Sequence, residues 1–389
     1  MQSGSSNGSS LVDWRIATEF LPGGSHLHYG QGSSIELWQR PENSFLGEGT
    51  YGEVWKEQCV SSPQGEGKVR AVKKIPKGRQ KVTERELRAM AAFSTPSDPH
   101  FLEYRRYLVQ LYGWFENDSD IFISMELVPR GSLEDHIKGR SLSEPEVAII
   151  TVQISRALRL IHGTGFAHRD LKPGNILVAK TAPYWWVKVA DFGIAKSTQG
   201  TQLNTLGRGT FTYMAPEVFA ATNPYSLAYS VAVDIWSLGA LAFCLIVGRP
   251  PFQNPQEAWR FTEGFFPFPG EALSQFRAEV FDLIFLAMSG NPARRPTAMG
   301  LLGHPWLQPY GIDVDRICEG LICSPPSATD FTASQGHSWN EMASNPWTEP
   351  AQAPQISSTI QPYIMAPRLP SRRSRLAAAL ISQVMGSFK

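Results

Sequence analysis

The chain has 389 residues, 42% of them hydrophobic and 18% charged, with 36 Lys plus Arg against 35 Asp plus Glu. That length suits one large two-lobed domain with tails, or two small domains, and the composition suits a globular chain with a sizeable core. A net charge of +1 excludes a general electrostatic pull toward nucleic acid or anionic lipid, so no nucleic-acid partner is expected.

Cys59, Cys244, Cys318 and Cys323 are widely spaced except for the last two, whose C-x4-C spacing has no second ligand pair for zinc. Four reduced thiols are expected. Met1 to Ser10 carry no apolar stretch of the secretory kind. The longest apolar run, Leu238 to Val247, is far short of the roughly 20 residues that span a bilayer and reads as a buried helix. A cytoplasmic and/or nuclear chain with no transmembrane segment follows as the expectation.

Residues 1–32 are rich in Ser, Gly and His and read as a largely disordered tail, although Trp14, Ile16, Phe20 and Leu21 are apolar enough to dock on a domain. From Ser33 onward short strand-type runs alternate with glycines: Ile35–Trp38, Gly52–Lys56 and Val69–Ile75. A charged helix over Val82–Phe93 closes at Pro96 and Pro99, and strands Leu108–Phe115 and Ile121–Leu127 follow. After Gly131 the chain becomes helical. Val147, Ile150, Ile154, Leu158 and Ile161 recur every three to four residues, and further helices are expected at Ser230–Val247, Ala272–Ser289 and Thr297–Leu302. A strand-rich part therefore precedes a helix-rich part, as in two lobes with a cleft between them. Beyond Leu307 a Pro-, Ser- and Gln-rich tail, 308–389, reads as disordered, with a short basic helix over 371–386 as its exception.

The first motif is Gly47-Glu48-Gly49-Thr50-Tyr51-Gly52-Glu53-Val54, lying between two strands. Glycines let main-chain N–H groups approach phosphate closely. A strand, not a helix, follows the third glycine, which argues against a dinucleotide-binding turn. Ala71-Val72-Lys73 then sets a lysine inside an apolar strand, and Glu86 on the next helix is its natural carboxylate partner, since Leu87 and Met90 turn inward with it. Held in that way, Lys73 can orient the α- and β-phosphates.

His168-Arg169-Asp170-Leu171-Lys172-Pro173-Gly174-Asn175 follows the long helix, and Asp191-Phe192-Gly193 comes after an apolar run. Asp170 can accept the proton of an attacking hydroxyl, Lys172 can neutralise a γ-phosphate, and Asn175 and Asp191 can supply oxygens to Mg2+. The order and spacing of these motifs carry the assignment, not the tripeptides by themselves.

With these residues the sequence resembles the eukaryotic serine/threonine protein kinase superfamily between Pro41 and Leu307. Ala215-Pro216-Glu217, Asp234-Ile235-Trp236-Ser237-Leu238-Gly239, Arg295 and His304-Pro305-Trp306 resemble its structural markers. The resemblance implies an α+β bilobal kinase fold over 33–307, with a strand-rich N-lobe to about residue 128 and a helical C-lobe after it. It implies ATP and Mg2+ as cofactors and protein substrates with Ser or Thr acceptors, the latter from Lys172 and the segment Gly209–Met214. Thr210 would contact Asp170 and Lys172. Leu46, Val54, Ala71 and Leu177 would sandwich the adenine, Met125 would back its pocket, and the main chain of Glu126 and Val128 would hydrogen-bond it. Asn291 stands where the family usually has Asp, in a capping rather than a catalytic place. Arg169 implies a phosphate on the activation segment, set by an upstream kinase or by autophosphorylation, with Thr205 the first candidate and Thr201 the next. A non-catalytic scaffold and a small-molecule phosphotransferase are the rival readings.

Overall fold

The computed structural model describes residues 11–30, 34–49, 52–61, 67–96, 98–192, 211–220 and 231–322. The first lobe is a sheet. Its strands are β1 (Ala17–Phe20), β2 (His26–Tyr29), β3 (Ile35–Gln39), β4 (Phe45–Gly49), β5 (Gly52–Ser61) and β6 (Val69–Pro76); after helix α1 (Gln80–Ser94) come β7 (Leu111–Glu116) and β8 (Asp120–Met125). The order is β1-β2-β3-β5-β6-β8-β7, all antiparallel, with β4 paired to the other end of β5. The long β5 thus splits its pairing between β3 and β4.

The expectation of a disordered tail over 1–32 is corrected across residues 11–29. Pro22-Gly23-Gly24 makes the turn between β1 and β2, and Gly23 and Gly24 have φ of 81° and 83°, which glycine adopts without a Cβ clash. Before β1, Arg15 bridges to Trp114 of β7, so the sheet curls until its two edges meet. Its outer face is thereby covered: Ile16 packs on Val72, Phe115 and Phe122, and the Phe20 ring lies 5.5 Å from that of Phe122. This explains why β6 is buried on both faces, Arg70 and Lys73 included.

The second lobe contains α2 (Leu133–Ile137), α3 (Glu144–Gly163), the hairpin β9 (Ile176–Lys180) and β10 (Trp186–Val189), then α4 (Pro216–Ala220), α5 (Ala232–Val247), α6 (Pro255–Thr262), α7 (Ala278–Ala287), α8 (Ala298–Leu302) and α9 (Gln308–Ile322). Ser143 starts α3 with a capping box: its N–H and hydroxyl both donate to Glu146 Oε2, at 3.0 and 2.6 Å. α3 and α5, the latter apolar except for Asp234 and Ser237, form the centre of this lobe, with Trp236, Phe243, Phe252 and Trp306 fully enclosed around them.

Three boundaries differ from the sequence expectation. Leu108 and Val109 pair with Val189 of β10 before β7 begins at Leu111. Residues Gly270–Leu273 make a 3-10 turn, and regular helix starts only at Ala278, after an extended Arg277. Folded chain also continues past Leu307: α9 lies on α3, with Val314 fully buried and Arg156 Nη1 2.5 Å from Asp315 Oδ1. The basic segment 371–386 lies outside the described residues.

Candidate active site

Strand register sets the cleft. Lys73 of β6 stands opposite Val54 of β5 on one side and Ile123 of β8 on the other, and Ala71 stands opposite Met125. On the hairpin β4–β5, Gly47 pairs with Val54, Glu48 with Glu53, and Gly49 with Gly52. A Cβ on Gly52 would run into the carbonyl oxygen of Lys74, so this glycine is required by strand packing whatever it does for phosphate. Thr50 and Tyr51 at the hairpin tip lie outside the described residues, as do Thr201, Thr205 and Thr210.

α1 presents one apolar face, including Leu87, Met90 and Ala91, and on the same face the buried Glu86. Glu84 is only half-buried. Lys73 Nζ donates to Glu86 Oε1 at 2.8 Å and to Asp191 Oδ1 at 2.5 Å. Burial by itself would favour the neutral amine, but the two carboxylates more than offset it and hold the ammonium charged.

The loop between α3 and β9 carries the other groups. Lys172 Nζ lies 3.3 Å from Asp170 Oδ2. Asn175 Nδ2 donates to the Asp170 carbonyl at 2.7 Å and to Asp170 Oδ2 at 3.0 Å. The amide nitrogen thus orients the aspartate, which turns the amide oxygen away from it. Below, His168 accepts at Nδ1 from the Asp170 N–H (3.2 Å) and donates from Nε2 to the Ala190 carbonyl (3.0 Å), a pairing that fits the neutral Nε2–H tautomer. The Ala190 N–H returns a bond to the Asn175 carbonyl at 2.9 Å. These links fix the 168–175 loop to the residue just before Asp191.

Arg169 and Asp191 have φ of 65° and 53°. Left-handed backbone at such side chains costs on the order of 1 kcal/mol each and persists because surrounding bonds impose it. Asp234, fully buried in α5, accepts from the N–H groups of both His168 and Arg169, and His162 Nε2 lies 2.9 Å away. Burial opposes the Asp234 charge, but the bonds from His162 and the Arg169 backbone keep its carboxyl below the usual range. Phe192 is buried between the rings of Phe93 on α1 (4.8 Å) and His168 (5.7 Å), so α1 and the 168–175 loop share one aromatic contact.

Around the expected adenine pocket, Met125, Leu177 and Ala179 border a small buried cluster of Val109, Val128 and Ala190. The Glu126 N–H already donates to the Gln110 carbonyl at 2.9 Å, and its carboxylate takes Lys188 Nζ at 2.7 Å. Of the Glu126 main chain, the carbonyl is therefore the group left for a ligand. Leu46 is 49% exposed at the lip, while Ala71 is buried deeper in the cleft.

Farther from the cleft, Arg295 holds Glu217 through two hydrogen bonds of 2.5 and 2.9 Å, with its guanidinium 5.0 Å from the Trp236 ring centroid. Asn291 Oδ1 caps the turn before Arg295 by accepting from the Ala293 N–H at 3.1 Å. Sequence reasoning did not find the His162–Asp234 contact or the role of Phe93, whose signals are single residues in apolar helices. It also missed the hairpin β1–β2, which Pro22-Gly23-Gly24 between two alternating runs does announce.

Could this arrangement hold Mg2+? Among the described residues no group of three or more His, Cys, Asp or Glu could hold a metal ion. Mg2+ in phosphoryl-transfer sites takes one or two protein oxygens and completes its shell with phosphate and water, so the Asp191 carboxylate and the Asn175 amide oxygen are a fitting donor pair. Asp170, Asp191 and Glu86 outnumber Lys73 and Lys172 at the cleft. A polyphosphate entering that surplus of negative charge needs a divalent counter-ion.

A model of the protein kinase domain matches residues 41–307. Among curated proteins, a probable myosin light chain kinase of Dictyostelium discoideum is 29% identical over 290 residues, covering 73% of this chain and 56% of that protein. Serine/threonine-protein kinase cds1 of Schizosaccharomyces pombe is 32% identical over 297 residues (75% of this chain, 61% of that protein). Calcium/calmodulin-dependent protein kinase type 1 of Macrobrachium nipponense is 30% identical over 278 residues (70% and 76%). The chain thus spans little more than half the length of the first two. A crystal structure of Rad53 residues 1–466 in complex with AMP-PNP aligns with a TM-score of 0.54 and 25% identity, covering 74% of this chain and 77% of that one. The chain belongs to the protein kinase domain family.

Proposed function

We propose that this chain transfers the γ-phosphoryl group of ATP to serine or threonine hydroxyls of protein substrates. The observation that carries the reading is the complete polar network of the cleft: Lys73 bound to both Glu86 and Asp191, beside Asp170 tied to Lys172 and Asn175. A scaffold that had lost catalysis has no reason to keep a buried ammonium and this many carboxylates in mutual contact.

In this reading Asp170 accepts the proton of the substrate hydroxyl as its oxygen attacks the γ-phosphorus in line. The bond from that phosphorus to the β,γ-bridging oxygen breaks, and ADP leaves with the electron pair. Lys172 neutralises charge on the transferred phosphoryl, and Lys73, steadied by Glu86, holds the α- and β-phosphates. Asp191 and Asn175 would hold Mg2+, which neutralises charge on the β- and γ-oxygens when bound. The Glu126 carbonyl and the Val128 main chain would take the adenine edge, between Leu46, Val54, Ala71 and Leu177. Gly47, Glu48, Gly49, Thr50, Tyr51 and Gly52 would cover the phosphates. Thr210 would help position the acceptor hydroxyl, and Thr205 or Thr201 would carry the phosphate that neutralises Arg169.

The names of the relatives and the AMP-PNP of the Rad53 complex support a nucleotide-dependent protein kinase. No helix among the described residues is long and apolar enough to cross a membrane. The buried free thiols of Cys59 and Cys244 favour a cytoplasmic or nuclear setting. The test is phosphate incorporation from radiolabelled ATP with Mg2+ into a peptide array and into small metabolites, by wild type and Asp170→Asn. Labelled Ser/Thr peptides with wild type alone support the proposal. Labelled metabolites alone, or no transfer by a wild type phosphorylated within 191–217, overturn it.

A further inference from the structure

The apolar residues near the N-terminus have a defined seat. The 3-10 turn Leu11–Trp14 lies on α1 and β7, with Leu11 and Trp14 packed on the main core. Two hydrogen bonds pin it there: Trp114 Nε1–H donates to the Leu11 carbonyl at 2.9 Å, and the Ile16 N–H donates to the Trp114 carbonyl at 2.8 Å. Arg15 adds a guanidinium 5.4 Å from the Trp114 ring centroid and an ion pair to Glu116 at 2.7 Å. β7 is shaped for this crossing. A Cβ on Gly113 would come within 2.7 Å of Ile16 Cδ1 and 2.9 Å of the Trp14 carbonyl oxygen.

After the crossing, β1 and β2 are latched to β6. Arg70 Nη2 lies 2.7 Å from the Nε2 atoms of both His26 and His28, and 2.8 Å from Glu57 Oε2. Arg70 and Lys73 are three residues apart on one strand, so they face opposite sides of the sheet. The N-terminal segment therefore touches both elements that build the Lys73–Glu86 pair: α1 through the Leu11–Trp14 turn, and β6 through Arg70.

We propose that Trp14, with Leu11, is a positioning residue for the phosphate clamp, bracing α1 so that Glu86 stays within hydrogen-bond reach of Lys73. The reason is the steepness of the interaction. At 2.8 Å the pair is well formed, and an outward drift of α1 by roughly 1 Å would take it beyond hydrogen-bond distance. Lys73 would then be held by Asp191 alone, which competes with the use of that carboxylate for the cation. This deepens the kinase reading above, on which its functional consequence rests, while its geometry stands without it.

The test uses the full chain as wild type, Trp14→Ala, Trp14→Phe, Glu86→Gln and the double variant Trp14→Ala/Glu86→Gln. The readouts are the affinity for a fluorescent ATP analogue with Mg2+, and KM for ATP. Trp14→Ala should weaken both by about tenfold, Trp14→Phe should stay within about twofold of wild type, and Trp14→Ala should add nothing once Glu86 is Gln. Wild-type affinity in Trp14→Ala, or effects that multiply in the double variant, overturn the inference. Should Trp14→Ala fail to fold, Leu11→Ala on the same seat carries the same expectations. Because nucleotide affinity is read without phosphoryl transfer, a wild type that binds ATP but labels no peptide would overturn the proposed function and leave this inference standing.

Discussion

The Arg169 N–H donates to Asp234 Oδ1 at 2.7 Å, and the adjacent His168 N–H donates to Oδ2 at the same distance. One buried carboxylate on α5 thus holds two successive backbone groups at the start of the 168–175 loop, the second of them in a left-handed conformation. Asp234→Asn keeps the shape but turns an NH2 donor toward an N–H donor. The variant should lose about 1–3 kcal/mol in denaturant unfolding, the usual penalty for a buried unsatisfied donor. Its kcat should fall by about a hundredfold, as expected when a base is displaced by around 1 Å. Wild-type kcat would refute this account of the loop.

Stability and function should separate at the clamp. Lys73→Met leaves Glu86 buried without its counter-charge, which typically costs about 3–5 kcal/mol. The double variant Lys73→Met/Glu86→Leu should recover much of that loss, since the space becomes apolar throughout, yet regain no activity. Recovery of activity along with stability would mean that the pair serves folding only.

Arg295 and Glu217 offer a purely structural comparison. The guanidinium is enclosed against Trp236 and makes two bonds to one carboxylate. Arg295→Lys keeps the charge but lacks the planar fork, so it should still cost about 2 kcal/mol or more in chemical denaturation. A change smaller than about 0.5 kcal/mol would show that point charge alone suffices.

The hairpin latch should titrate. Thr18 Oγ1 donates to the Ile16 carbonyl, so His28 Nδ1–H donates to Thr18 Oγ1 at 2.8 Å and His28 Nε2 accepts from Arg70. Burial first, then the Arg70 guanidinium and the neighbouring His26, lower the His28 pKa from 6.5 to about 2. The unfolded chain therefore binds a proton below pH 6.5 that the folded chain refuses. Stability is full above that pH and falls as pH drops toward 2, by about 1.4 kcal/mol per pH unit. Glu57, held low against burial by His26 and Arg70, adds its own loss only below the ordinary carboxylate range. Urea unfolding between pH 7 and pH 5 should show a decline of about 2 kcal/mol that His28→Gln flattens. An equal slope in both proteins would contradict the proton assignment.

Much of this molecule was legible in order and spacing. The inward turn of Met90 picked Glu86 over Glu84 as the partner of Lys73, because residues four apart share a helix face. The same reasoning found α3 and α5 to within a few residues. Composition misled at the N-terminus, where Ser, Gly and His suggested a tail, although His26 and His28 alternate as strand residues do. What makes that strand is Arg70, 42 residues beyond His28, and Gly113, whose missing Cβ admits Ile16. Local sequence therefore determined which side chains could do chemistry and on which face of each element they lie, since helix and strand periods are intrinsic to the backbone. Only the tertiary structure decided that the first strands close the sheet, that α9 extends the second lobe, and that Asp234 orders the 168–175 loop. Each of those depends on partners distant in the chain, whose pairing becomes favourable only once the folded core has excluded water from both.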